Sequence, residues 1–197
     1  MAGMISVYYT RMALRIEEVF EAYQGKVYQR AIIGGVLLGL LIMLFPPLFG
    51  EGYDSIRLLE ANLAELLLQD SWLGFFGTND WFILCFVGAL ALVKVFATTI
   101  TIASGGNGGN FAPSMFVGAS TGYFFARLVN LLHIGNLPIN SFSMVGMAGI
   151  LSGVMHAPLT AVFLIAEITG GYSLMIPLML VAASSFALVK YFEPDRK

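Results

Sequence analysis

The stretch Ser104-Gly105-Gly106-Asn107-Gly108-Gly109-Asn110-Phe111-Ala112-Pro113 separates two apolar runs, Trp81 to Ala103 and Phe111 to about Leu132. Four of its first seven residues are glycine, which frees the backbone from the usual dihedral limits. Pro113 stands where the first turn of a helix tolerates a missing N–H. The spacing predicts a helix that begins at about Phe111, after a flexible loop between two membrane segments. A helix that starts inside a membrane presents unpaired N–H groups and a partial positive charge to the space before it. That makes an anion site without a cationic side chain, and a full Lys or Arg charge there would hold an anion too tightly for release. Two other readings compete. One is a glycine-rich turn with no ligand; the other, a phosphate-binding loop, fits less well because no Gly-Lys-Ser/Thr ending is present.

Working outward, 58% of the 197 residues are hydrophobic and 11% are charged, against about 25% charged in an ordinary soluble domain. A soluble core of this size cannot bury so much apolar surface, whereas a bilayer acts as its solvent. The expected class is an all-α integral membrane protein with no separate soluble domain. The net charge of −2 gives no basic field for nucleic acid. Cys85 is the sole cysteine, and His133 and His156 have no partners at ligand spacing, so neither a disulfide within the chain nor a metal site is expected. No paired carboxylates and no nucleophile with a base converge in the sequence, so an enzyme is the least supported class. The N-terminus lacks the pattern of a signal peptide.

Residues 5 to 23 read as a helix emerging at a membrane surface. A first uncharged run, Ala31 to Phe49, ends at Pro46 and Pro47, and its Gly34, Gly35 and Gly39 predict a face packed against protein. Residues 51 to 80 are acidic and flanked by Trp72 and Trp81, which predicts an interfacial linker with a short amphipathic helix around Ile56 to Leu68. Further runs cover 81–103, 111–132, 142–168 and 172–189. Arg11, Arg15, Lys26 and Arg30 precede the first run, and Lys190, Arg196 and Lys197 come after the last, so both ends are expected to be cytoplasmic. Five full crossings would put the ends on opposite sides. The run broken at Pro158 is therefore expected to turn back as a hairpin of two half-length helices, about 142–155 and 158–168.

Gly108-Gly109-Asn110-Phe111-Ala112-Pro113 resembles the G-x-F-x-P signature of the CLC chloride channels and exchangers, with Gly109, Phe111 and Pro113 at the fixed positions. The resemblance extends to Gly146-Met147-Ala148-Gly149-Ile150-Leu151-Ser152-Gly153, to Ala157-Pro158-Leu159-Thr160-Ala161 and to Glu167-Ile168-Thr169-Gly170-Gly171-Tyr172, with Pro177 further on. It also takes in Gly34-Gly35 and Gly50-Glu51-Gly52-Tyr53 earlier in the chain. It implies the second half of an inverted-repeat fold with broken and re-entrant helices, in a homodimer whose subunits each have a pathway. The re-entrant hairpin and the first helix are the interface candidates. The resemblance further implies that backbone N–H groups of Asn110 and Phe111 hold chloride or a similar small anion, in a channel or an anion/proton exchanger with no cofactor. Asn110 departs from the aliphatic residue common there. Since the contact is through the backbone, the change is expected to tune the surroundings of the site more than abolish it.

The family also uses an upstream Gly-Ser-Gly loop, a gating glutamate in a Gly-Arg-Glu-Gly-Pro-like sequence, and a tyrosine after the last helix. None is found here, and Tyr191 falls too early for the last. Residues 1–197 are therefore expected to form the C-terminal half of a transmembrane domain whose N-terminal half must be supplied. Glu167 is an acid within the last apolar stretches, a functional possibility by default, although an interfacial hydrogen-bonding role is favoured at a helix end. For Lys94, snorkelling to an interface is favoured. Two other classes remain: a secondary transporter of another small anion, which would need more polar groups, and a non-transporting membrane assembly module.

Overall fold

The computed structural model describes residues 1–21, 27–69, 71, 79–170 and 172–193. Lys26, Asp70, Trp72, Gly171, Arg196 and Lys197, named above, lie outside them. Among the described residues nine α-helices succeed one another: α1 (Ala2–Glu21), α2 (Val27–Leu44), α3 (Tyr53–Glu60), α4 (Ala64–Gln69), α5 (Asp80–Ala103), α6 (Phe111–Leu131), α7 (Ile139–Met155), α8 (Pro158–Thr169) and α9 (Met175–Phe192). Three segments among the described residues are long and apolar enough to cross a bilayer: 27–44, 80–103 and 172–192. Helix α6, one of the anticipated crossings, is not among them. Ser114, Ser120, Thr121, Arg127 and Asn130 dilute its hydropathy.

The fourth run is broken, as its proline predicts. Helix α7 ends at Met155, His156 adopts a left-handed conformation (φ 55°), and α8 starts on Pro158. At 1.5 Å per residue α7 is about 25 Å long and α8 about 18 Å, so neither spans a core of about 30 Å by itself. They pack on each other, and α9 packs on both. Gly170 (φ 62°) then closes α8 with the conformation that helix C-termini favour.

Helices α6 and α7 form the tightest contact because glycine lets their backbones touch. A Cβ on Gly118 would lie 2.5 Å from Cα of Met147, one on Gly122 would lie 2.0 Å from the Phe142 carbonyl oxygen, and one on Gly146 would lie 2.3 Å from that of Gly118. Without a hydrophobic drive between helices in lipid, such close packing supplies much of the association. On α2 the glycine pattern is only partly used. Gly34 faces Ser104, while Gly35 and Gly39 have nothing within 4 Å, so of the three glycines only Gly34 takes part in the packing of α2, which Leu38, Leu41 and Ile42 carry further.

The acidic segment also differs from a single helix over 56–68. Asn62 takes φ 57°, and the Leu63 N–H donates to the Leu58 carbonyl at 2.8 Å, a helix-terminating arrangement that separates α3 from α4. Ile56, Leu59, Leu67 and Leu68 enter the main core, where they join residues of α5, α6 and α7. At the other side, Arg127 of α6 pairs with Asp80 at the start of α5 at 2.6 Å. Arg30 of α2 donates to the carbonyl of Ala103, at the last turn of α5.

Candidate functional site

Helix α5 runs out at Ala103, and Ser104 and Gly105 donate back to Ile100 and Ile102 at 2.8 and 3.1 Å. Gly105 has φ 94°, which turns the chain into the loop, and the Gly106 N–H returns to the Thr101 carbonyl at 2.9 Å. Helix α6 then begins at Phe111, where the sequence placed it. Its first backbone bond is Ser114 N–H to the Asn110 carbonyl, at 3.1 Å, and no side chain caps the start. Pro113 has no N–H to leave unpaired.

A cavity of about 560 Å³ opens in front of this helix, between α2, the turn at 48–51, α5 and the loop. Gly108, Gly109, Phe111, Ala112 and Pro113 line it, together with Lys94. Asn110 is not on its wall. Its side chain turns toward α1, where Oδ1 accepts from the Tyr9 hydroxyl at 3.2 Å.

Lys94 does not snorkel. It is 2% exposed, and Nζ donates to the carbonyls of Leu48 and Gly50 at 2.9 Å each. The ammonium also lies 5.2 Å from the ring centroid of Phe116, within the range of an attractive cation–π contact. Pro46 and Pro47 end α2 in a short 3-10 turn, 46–48, and the lysine fastens its last residue and Gly50 to α5. An ammonium this deep is stable only with partners of this kind.

Glu167 is placed elsewhere. It is exposed in the last turn of α8 and accepts from the Tyr172 hydroxyl, and it is not on the cavity wall. The structure thus gathers Gly108, Gly109, Phe111, Ala112 and Pro113 around one space, adds Lys94 to its wall, and leaves Glu167 and Asn110 off it, the latter held by Tyr9. Tyr9 carries no signal in its local sequence, because its partner is 101 residues away.

Broken helices, glycine-mediated backbone contact and a helix start left open within apolar segments define a helical membrane protein. The model of the voltage gated chloride channel family matches residues 1–190. The chain is 32% identical over 159 residues to the putative chloride channel protein ClcB-like of Ralstonia nicotianae, covering 80% of this chain and 33% of that protein. It is 29% identical over 165 residues to chloride channel protein CLC-e of Arabidopsis thaliana, covering 75% and 20%. With the H(+)/Cl(-) exchange transporter ClcA of Vibrio vulnificus it shares 28% identity over 187 residues, covering 91% and 36%. The chain belongs to the voltage-gated chloride channel family, and it spans about a third or less of the length of these relatives.

Proposed function

We propose that this chain supplies one half of a transmembrane pathway for chloride or a similar small anion, as a channel or an anion/proton exchanger. The carrying observation is the uncapped start of α6 beside the cavity. Backbone N–H groups of Asn110 and Phe111 hold the anion, aided by the helix dipole, which amounts to about half a positive charge. The bond is weak enough to break during conduction, since the Lys94 ammonium on the cavity wall is engaged by the carbonyls of Leu48 and Gly50. The names of the relatives support this reading: one is a chloride channel by name and another a proton/chloride exchanger.

The pathway is completed by a companion N-terminal half, and the assembly is a homodimer. Of the interface candidates, α8 keeps Leu159, Phe163 and Ile168 exposed, and α1 keeps Met4, Leu14 and Val19 exposed. On α1, Ser6, Tyr9 and Thr10 are already buried within the chain. Both ends of the chain face the cytoplasm, with α6, whose 21 residues reach about 31 Å, as a fourth crossing beside the three more apolar segments; no chemical reaction is assigned.

The test is radiolabelled chloride uptake into liposomes containing the chain with and without its upstream half. Uptake that needs both halves and is lost with Asn110→Pro, in a variant that still melts cooperatively, supports the reading. Equal uptake by the native and Asn110→Pro forms refutes it.

A further inference from the structure

An asparagine at the start of a helix ordinarily folds its side chain over the first turn and accepts from a free N–H there. Asn110 does not. Its backbone has helical dihedrals (φ −78°, ψ −6°), its side chain makes no cap, and its Oδ1 is engaged by Tyr9. Gly109 before it has no side chain and Pro113 has no N–H, so the Ala112 N–H is the natural partner for an Asn110 cap. Tyr9 comes from α1 and is 1% exposed. A phenylalanine would fill the same apolar space without placing a hydroxyl there, so the hydroxyl, which meets both the Asn110 carboxamide and the Thr98 side chain, is the part that calls for an explanation.

We propose that Tyr9 is a positioning residue: it holds the Asn110 carboxamide away from the start of α6 and so keeps a carbonyl oxygen out of the space where the anion binds. The inference rests on the anion reading above. With the hydroxyl removed, Asn110 relaxes to the extended backbone region that capping residues prefer. Gly109, having no side chain, puts none of its own in the way of that swing. The carbonyl end of the side chain then sits on the Ala112 N–H, directly before the helix, and its partial negative charge opposes the anion.

The experiment compares the native protein, Tyr9→Phe, Asn110→Val and the double variant, each assembled with the companion half and labelled with 15N at alanine and phenylalanine. Amide shifts of Phe111 and Ala112 are recorded first without halide and then through a chloride titration. Tyr9→Phe is expected to move the Ala112 amide in halide-free buffer and to weaken chloride about fivefold, the scale of one capping bond. Asn110→Val sets its own reference affinity, and adding Tyr9→Phe to it is expected to cause no further weakening. Coincident halide-free amides in the native and Tyr9→Phe proteins, or an equal loss in both backgrounds, would overturn the assignment. A native protein that shows no response to chloride defeats the anion reading instead, while the halide-free comparison still decides the role of Tyr9.

Discussion

Replacing Lys94 by methionine keeps the length and volume of the side chain and removes its charge. Two charge-assisted hydrogen bonds are lost, to Leu48 and Gly50, along with the contact over Phe116. A hydrogen bond to a charged group contributes about 1.5–3 kcal/mol net of solvation. Leu48 is buried, so its carbonyl is stranded at full cost, whereas Gly50 is exposed and its carbonyl recovers water. The sum is a loss of about 3 kcal/mol, most of it from the Leu48 bond and the cation–π contact. For a chain of this size that lowers the apparent melting temperature by about 6–12 °C. Thermal unfolding in detergent reads the loss, and amide exchange at 48–52 localises it, because the lysine fastens that turn to α5. A fall below about 2 °C with unchanged exchange at 48–52 would refute the reasoning.

The same geometry carries three more outcomes. Gly118→Ala drives a methyl into the backbone of α7 and is expected to cost more than about 3 kcal/mol, as overpacking against unyielding backbone does; Gly35→Ala, with open space around it, leaves the melting temperature unchanged or slightly higher. Glu167→Gln leaves chloride uptake within about twofold of native, because that carboxylate is exposed in the last turn of α8 and engaged by the Tyr172 hydroxyl; a tenfold loss in flux assays would place it in the pathway. Burial pushes the Glu60 carboxyl above its ordinary value, with nearby Arg57 partly offsetting the rise. A raised folded-state pKa means the proton is bound more tightly when folded, so this stability is present at acid pH and is lost as pH rises through the folded value. Melting curves at several pH values should therefore show Glu60→Gln gaining on native protein between acid and neutral pH; a constant difference would contradict this.

The glycine loop and the helix start at Phe111 are legible in the sequence because each rests on a local rule: glycine for the turn, and a proline where a missing N–H costs nothing. The break at Pro158 is legible for the same reason. The two short helices in the acidic segment are less so: Asn62 is a residue type that accepts the left-handed conformation of a helix stop, but no glycine or proline beside it reinforces the signal. Lys94 shows the limit of composition. A lysine in an apolar run is compatible with an interface or with a buried clamp, and only the turn after Pro47 folding back onto α5 decides between them. The Tyr9–Asn110 pair is a tertiary contact, invisible to any window read along the chain.

The central claim is that backbone N–H groups at the start of α6 hold the anion. The most direct measurement replaces the peptide N–H of Phe111 with an ester oxygen, leaving every side chain in place, and compares chloride affinity in the assembled pathway. Loss of one donor to a charged ligand removes about 1.5–3 kcal/mol, so affinity is expected to fall by at least about tenfold with the melting temperature little changed. An ester form that binds chloride as tightly as the native amide would contradict the account.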